Sequence, residues 1–308
     1  MAKIGIENID EIKVNVIPLE RTYDSVGDLK INSAVKRMYI TKGYPSAPKS
    51  REEADKRGEI HFNGLMSSFT KIKVYEDSDT KLVSVDIVPT RYLIGQAMRD
   101  YMKKFSDQLH TNKILSLSPN MANVSLIAPI EKNDGYYLLS QIKGKALGSG
   151  QIHTGIVAVN IAAKYLADPD PLTGAIRGGC SSELGMKLDQ LDPTSTTFMV
   201  DERETGQVNF ASVLKNADFG DIYSSYESSV KDKSLEDLEV MGIALLPTKN
   251  INQFIREGIA RDVTCFIPTE NGLEEKKQDR QLRPYTVATL KYIKRPKNLE
   301  FLIKKAGF

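Results

Sequence analysis

The sequence predicts an α/β protein, with a β-rich region first and helices at the C-terminal end. Three observations predict it. The runs IKVNVI at 12–17, KIKVY at 71–75 and LVSVDIV at 82–88 alternate polar and apolar side chains, as strands with one buried face do. Leu93, Ala97, Tyr101 and Phe105 recur four apart, which predicts a helix over 90–107 with Thr90 as its N-cap. Two apolar runs, 124–130 and 136–142, flank a link ending in Asp134-Gly135, and Asp-Gly between such runs signals a hairpin.

The remaining elements follow in order. Residues 41–59 carry Gly, two prolines and many charges and are expected to form a loop. A glycine loop at 143–150 leads to a strand over 152–161 and a helix over 171–186. Strands are expected at 197–200, 207–214 and 238–246, and helices at 250–260, 284–293 and 298–305. The chain divides into a β-rich region with one helix, 1–118, and a second part with a C-terminal helical extension, 119–308.

Composition narrows the function classes. The chain has 308 residues, 41% hydrophobic and 27% charged, ordinary for a globular protein that buries its own core. No apolar run approaches the ~20 residues of a membrane helix; 155–163 is short and interrupted by Asn160. The first residues lack the apolar centre of a signal peptide, and Cys180 and Cys265 are too few for a disulfide framework or a four-cysteine zinc site. A reducing, cytoplasmic setting without membrane attachment is the expectation. The net charge of +2 gives no global footprint for nucleic acid, yet residues 276–308 hold ten Lys or Arg against Asp279 and Glu300. That tail is read either as a phosphate-contacting segment or as docked amphipathic helices with a solvated basic face.

The order strand, hairpin, strand, glycine loop, strand, helix over 124–186 resembles the start of a Nudix domain, and the likeness spans about residues 60–250. That family's signature is Gly-x5-Glu-x7-Arg-Glu-apolar-x-Glu-Glu-x-Gly-apolar. Here 168–186 read DPDPLTGAIRGGCSSELGM, and Glu183-Leu184-Gly185-Met186 fits its end. The resemblance implies an α/β/α sandwich with a mixed sheet and a helix that holds Mg²⁺ for diphosphate hydrolysis. Carboxylates at i, i+3 and i+4 share a helix face, and Mg²⁺ takes such oxygens together with phosphate.

Anchored on Glu183, the signature's three helix carboxylates fall on Gly179, Ser182 and Glu183, its arginine on Gly178, its earlier Glu on Asp170 and its leading Gly on Lys164. One inserted residue would make Arg177 the arginine and still leave Gly178 beside it. The resemblance therefore implies a domain with weakened catalysis that binds a nucleotide or nucleoside-diphosphate-linked ligand, or serves as a scaffold. The alternative is a divergent hydrolase with Glu183 catalytic and Glu183 and Asp170 on Mg²⁺, helped by an acid near Asp218, Asp221 or Glu227. A protein or nucleic-acid interaction module using the basic C-terminus is the second alternative, and self-association stays open.

Lys143, Lys145, Gly150 and His153 are the candidate ligand-binding residues. Backbone N–H groups of a glycine loop cradle phosphate, lysines pair with it, and a histidine serves acid–base work. Each has a bland counterpart: a solvent loop for the glycines, a satisfied core histidine, a small core side chain for Cys180, and sheet packing for Tyr136 and Tyr137. Gly174, Gly178 and Gly179 each cost up to ~1 kcal/mol relative to Ala in a helix, so they are expected where a backbone or ligand comes close.

Overall fold

A computed structural model describes residues 2–16, 33–57, 63–77, 80–105, 120–144, 150–187, 191–202, 207–231, 233 and 238–308. His61, His110 and Lys145 lie outside them. The chain is a mixed α/β protein. Its first strands, β1 (Lys3–Ile6), β2 (Glu11–Val16), β3 (Leu65–Glu76) and β4 (Lys81–Arg91), enclose two helices, α1 (Ser33–Thr41) and α2 (Arg51–Arg57). Helix α3 (Tyr92–Phe105) follows, then the hairpin β5 (Asn120–Lys132) and β6 (Gly135–Lys143), then β7 (Ile152–Thr154) and β8 (Val157–Asn160). Next come α4 (Pro171–Leu184), β9 (Phe198–Glu202), β10 (Gln207–Val213), α5 (Phe219–Val230) and β11 (Val240–Pro247). Helix α6 (Ile251–Glu257), the hairpin β12 (Ile259–Thr269) and β13 (Gly272–Gln281), α7 (Pro284–Ile293) and α8 (Pro296–Ala306) complete it.

The sheet runs β1-β9-β10-β5-β6-β11-β12-β13, with β10 parallel to β5 and the other neighbours in this row antiparallel. Strand β5 is the hub: its first half pairs with β10 and β8 and its last residues with β6. Beyond that point β8 stays with β5 while β7 stays with β6, so the sheet divides. The corner between β7 and β8 is Gly155, with φ of 110°; a Cβ there would sit 2.8 Å from the Leu126 carbonyl oxygen, so the corner needs glycine. The expected boundary at 118/119 lies outside the described residues. Strand β1 pairs with β9 and β3 with β5, which joins both expected parts in one sheet.

Side-chain alternation along the strands builds two cores. Val124, Leu126, Ala128 and Ile130 of β5 face one core with Leu172, Ile176 and Leu184 of α4 and Ile222 and Tyr226 of α5. Ile127 of β5, with Ala244 and Leu246 of β11, faces the other with Tyr285, Leu290 and Ile293 of α7 and Leu302 of α8. Helices thus cover both faces of the sheet.

Five expectations change. Among the described residues the first region holds three helices, α1, α2 and α3, where one was expected. The segment 41–59 contains a 3₁₀ turn at Tyr44–Ser46 and α2; α2 has no apolar stripe and is held by Lys56–Glu52 and Arg57–Glu53 pairs one turn apart. Thr90 is buried within β4 and caps nothing. The strand expected over 152–161 is two strands broken at Gly155. The helix expected over 250–260 stops at Glu257, because Gly258 takes a left-handed conformation, φ 67°, and the chain enters β12.

Candidate functional site

The sequence places two polar side chains, Gln141 and Lys143, on one face of the inner strand β6, and the fold buries both. Glu183 meets them from the last turn of α4, just before the left-handed Gly185 that ends the helix. Gln141 Nε2 donates to Glu183 Oε2 at 2.5 Å and to the Ile156 carbonyl at 2.5 Å. Lys143 Nζ stands 3.8 Å from Glu183 Oε1, an electrostatic contact beyond hydrogen-bond length. Lys143 is 2% exposed and Glu183 9%.

Burial controls the charge on both groups. It pushes the Lys143 ammonium below the usual lysine range, with the Glu183 charge opposing. Burial also raises the Glu183 carboxyl above the usual carboxylate range, against the pull of Lys143 and the Gln141 hydrogen bond. Among the described residues, Lys143 Nζ and Gln141 Oε1 have no hydrogen-bond partner.

His153 pairs across the ladder with Gln141 and stacks on Tyr285 of α7, ring centroids 4.3 Å apart and planes 12° from parallel. Burial, then the charges of Lys143 and Arg283, push the imidazole well below its ordinary range, so it is neutral at pH 7. The Tyr285 hydroxyl is 2.5 Å from Ser125 Oγ on β5. The Thr286 hydroxyl donates to the Ile152 carbonyl at 2.8 Å and accepts from the Thr154 N–H at 2.9 Å. The start of α7 therefore fills the place where the sheet divides.

Asp170 is elsewhere. It caps α4, accepting from the N–H groups of Leu172 at 3.1 Å and Thr173 at 3.2 Å and from the Thr173 hydroxyl at 2.6 Å. The length of α4 separates it from Glu183, about 20 Å at ~1.5 Å per residue. One ion cannot bind both. Ser182 turns its hydroxyl back to the Gly179 carbonyl at 3.3 Å. A Cβ on Gly179 would come within 2.6 Å of Val157 Cγ1, one on Gly178 within 1.8 Å of the Tyr165 hydroxyl, and one on Gly174 within 2.0 Å of Asp168 Oδ2. What approaches these glycines is the protein's own side chains. The residues therefore do not fit Mg²⁺ at this helix, and among the described residues no group of three His, Cys, Asp or Glu is placed to hold a metal.

The other candidates also have structural posts. Gly150 stands just before β7, its N–H donating to the Lys143 carbonyl at 2.8 Å, and abuts the Arg280 guanidinium. Asp218 caps α5, and Glu227 Oε1 accepts from the Leu273 N–H at 3.4 Å. Cys180 is buried, and burial raises its thiol far above the usual range, which leaves it unreactive.

Sequence reasoning singled out Lys143, His153 and Glu183, and the fold brings them into one buried neighbourhood. It missed Gln141, Ser125, Tyr285 and Thr286. The available signal was a Ser140-Gln141 pair inside the otherwise apolar run YYLLSQI. No family model matches the sequence, and no curated protein matches it. Among the described residues, no helix is long and apolar enough to cross a membrane.

Proposed function

We propose that this chain is a Nudix-like domain that has lost the family's metal-dependent hydrolysis and works by binding a nucleotide or nucleoside-diphosphate-linked ligand. The observation that carries this reading is the engagement of Glu183. The last carboxylate of the signature is buried against Gln141 and Lys143, so an internal ammonium supplies the positive charge that Mg²⁺ would otherwise bring. The remaining signature positions, Gly178, Gly179 and Ser182, offer no carboxylate, and Asp170 is committed to its helix cap. A helix that keeps its apolar packing while its metal-facing positions become glycine and serine suits a domain kept for its shape.

The test is a panel of nucleoside triphosphates, nucleotide sugars, ADP-ribose and dinucleoside polyphosphates, each with Mg²⁺ or Mn²⁺. The expected result is no product above the buffer rate and a raised melting temperature with at least one nucleotide. Turnover that disappears in Glu183→Gln would establish the divergent hydrolase instead. A panel that gives neither turnover nor stabilisation would overturn the ligand-binding reading.

A further inference from the structure

The exposed side of α7 and α8 gathers charge that the core does not use. Lys291, Lys294, Lys297 and Lys304 are exposed there against Glu300, while Arg295 is occupied by Glu7 at 2.6 Å. Along α8 the positions 297, 301 and 304 fall on one face, so Phe301 stands between Lys297 and Lys304. Lys305 lies over the Phe301 ring, 5.3 Å from its centroid. Past the left-handed Gly307, Phe308 is 42% exposed and its ring is 6.1 Å from that of Tyr136.

Phe308 also forms one wall of an open basin of about 570 Å³ whose other walls include Lys132 and Phe219. Lys132 Nζ sits 5.1 Å above the Phe219 ring and 5.6 Å from the Tyr137 ring. Glu131 and Asp218 line the basin too; Asp218 is engaged as the cap of α5, accepting from the Asp221 N–H at 2.9 Å. Lysines and aromatic rings thus alternate from α8 into the basin.

We propose that this track, from Lys297 through Phe301 and Lys304 to Phe308 and Lys132, binds single-stranded nucleic acid. Lysines would follow the phosphates while rings stack on bases, the combination that holds single strands without sequence readout. A duplex hides its base faces and can use only the lysines. A bilayer would need an apolar stripe, but Leu302 and Ala306 of α8 are buried in the core and Leu299 packs against it. This inference is independent of the Glu183 reading.

The test is fluorescence anisotropy of the full chain with a labelled mixed-sequence single-stranded oligonucleotide and its duplex. The three lysines of the track, at a slope of about 0.7 each, give roughly a twentyfold loss of affinity from ~50 to ~200 mM salt. The Lys297→Glu/Lys304→Glu variant, whose side chains are exposed, is expected to bind at least tenfold more weakly with an unchanged melting temperature. Phe308→Ala is expected to weaken the single strand by about fivefold or more and leave the duplex unaffected. Equal affinity for duplex and single strand, no change in the charge-reversal variant, or no change in Phe308→Ala would each overturn the proposal. Equal competition by polyglutamate or anionic vesicles would also overturn it, because it would assign the track to another polyanion.

Discussion

The amine of Lys143 stands 3.8 Å from the Glu183 carboxylate inside the protein, both nearly sealed from solvent. Forty positions separate the two residues in the chain, and the register of β6 against the C-terminal turn of α4 brings them together. On the proposed Nudix-like reading, this pair accounts for a lone signature carboxylate at Glu183: its charge partner is Lys143 of β6.

Breaking the pair on one side is expected to be costly. Lys143→Met leaves Glu183 buried without a cation, and Glu183→Met leaves the ammonium without an acid; each is expected to lose about 3–5 kcal/mol. The Lys143→Met/Glu183→Met variant removes both charges and is expected to recover most of that loss. Urea denaturation of the four proteins measures the coupling. Additive losses would show that the two groups do not act as a pair.

The glycines of α4 are expected to respond unequally to alanine. Gly179→Ala drives a methyl into Val157 and Val159 on β8, a packed wall, so it is expected to lose about 1–3 kcal/mol despite better helix propensity. Gly174→Ala meets the end of the Asp168 side chain, which can swing away, so it is expected to be neutral or stabilising by up to ~1 kcal/mol. Thermal melts of the two variants check this. Equal effects would contradict the packing described for Gly179.

Sequence reading succeeded where one local rule decides. Asp134-Gly135 placed the β5–β6 hairpin, and the helix expected over 171–186 is α4, which the left-handed Gly185 ends at Leu184. The hairpin β12–β13 was missed because GLEEKKQDRQ, the β13 sequence, lies at a sheet edge, mostly exposed, so it has no apolar alternation to read. Helix α2 was missed for the same reason. At the site, Lys143 and Glu183 could each be named, but their pairing depends on strand register against a helix, which no local pattern encodes. Asp170 looked like a ligand because a capping carboxylate and a metal-binding one are the same residue type.

Asp170 is expected to behave as a cap. Asp170→Ala should lose about 0.5–2 kcal/mol, while Asp170→Asn should stay near the wild type, since asparagine caps as well. Chemical denaturation measures both. A loss in Asp170→Asn as large as in Asp170→Ala would show that the negative charge itself is required.

His153 is expected to make the fold acid-sensitive. Its folded-state imidazole resists protonation, whereas the unfolded chain takes a proton near pH ~6.5. Below that pH the unfolded state binds the extra proton, and stability falls as pH drops by up to ~1.4 kcal/mol per unit. Glu183 acts in the opposite sense: its raised carboxyl gives the folded state the extra proton from about pH 4.3 up to its raised value, where stability falls as pH rises. His153→Phe keeps a ring against Tyr285, so wild type minus variant isolates the histidine. That difference is expected to be constant above pH ~7 and to move against the wild type below ~6.5. A flat difference down to pH ~4.5 would contradict a neutral buried His153.

The most direct measurement of the central claim is a Mn²⁺ titration of the wild-type protein followed by electron paramagnetic resonance. Glu183→Gln is run alongside, after its melting curve shows it folded. If Lys143 is the resident counter-ion of Glu183, the wild type takes up no ion that Mg²⁺ displaces, and the variant titrates identically. Stoichiometric Mn²⁺ uptake by the wild type, displaced by Mg²⁺ and lost in Glu183→Gln, would contradict it and return Glu183 to the role of a metal ligand.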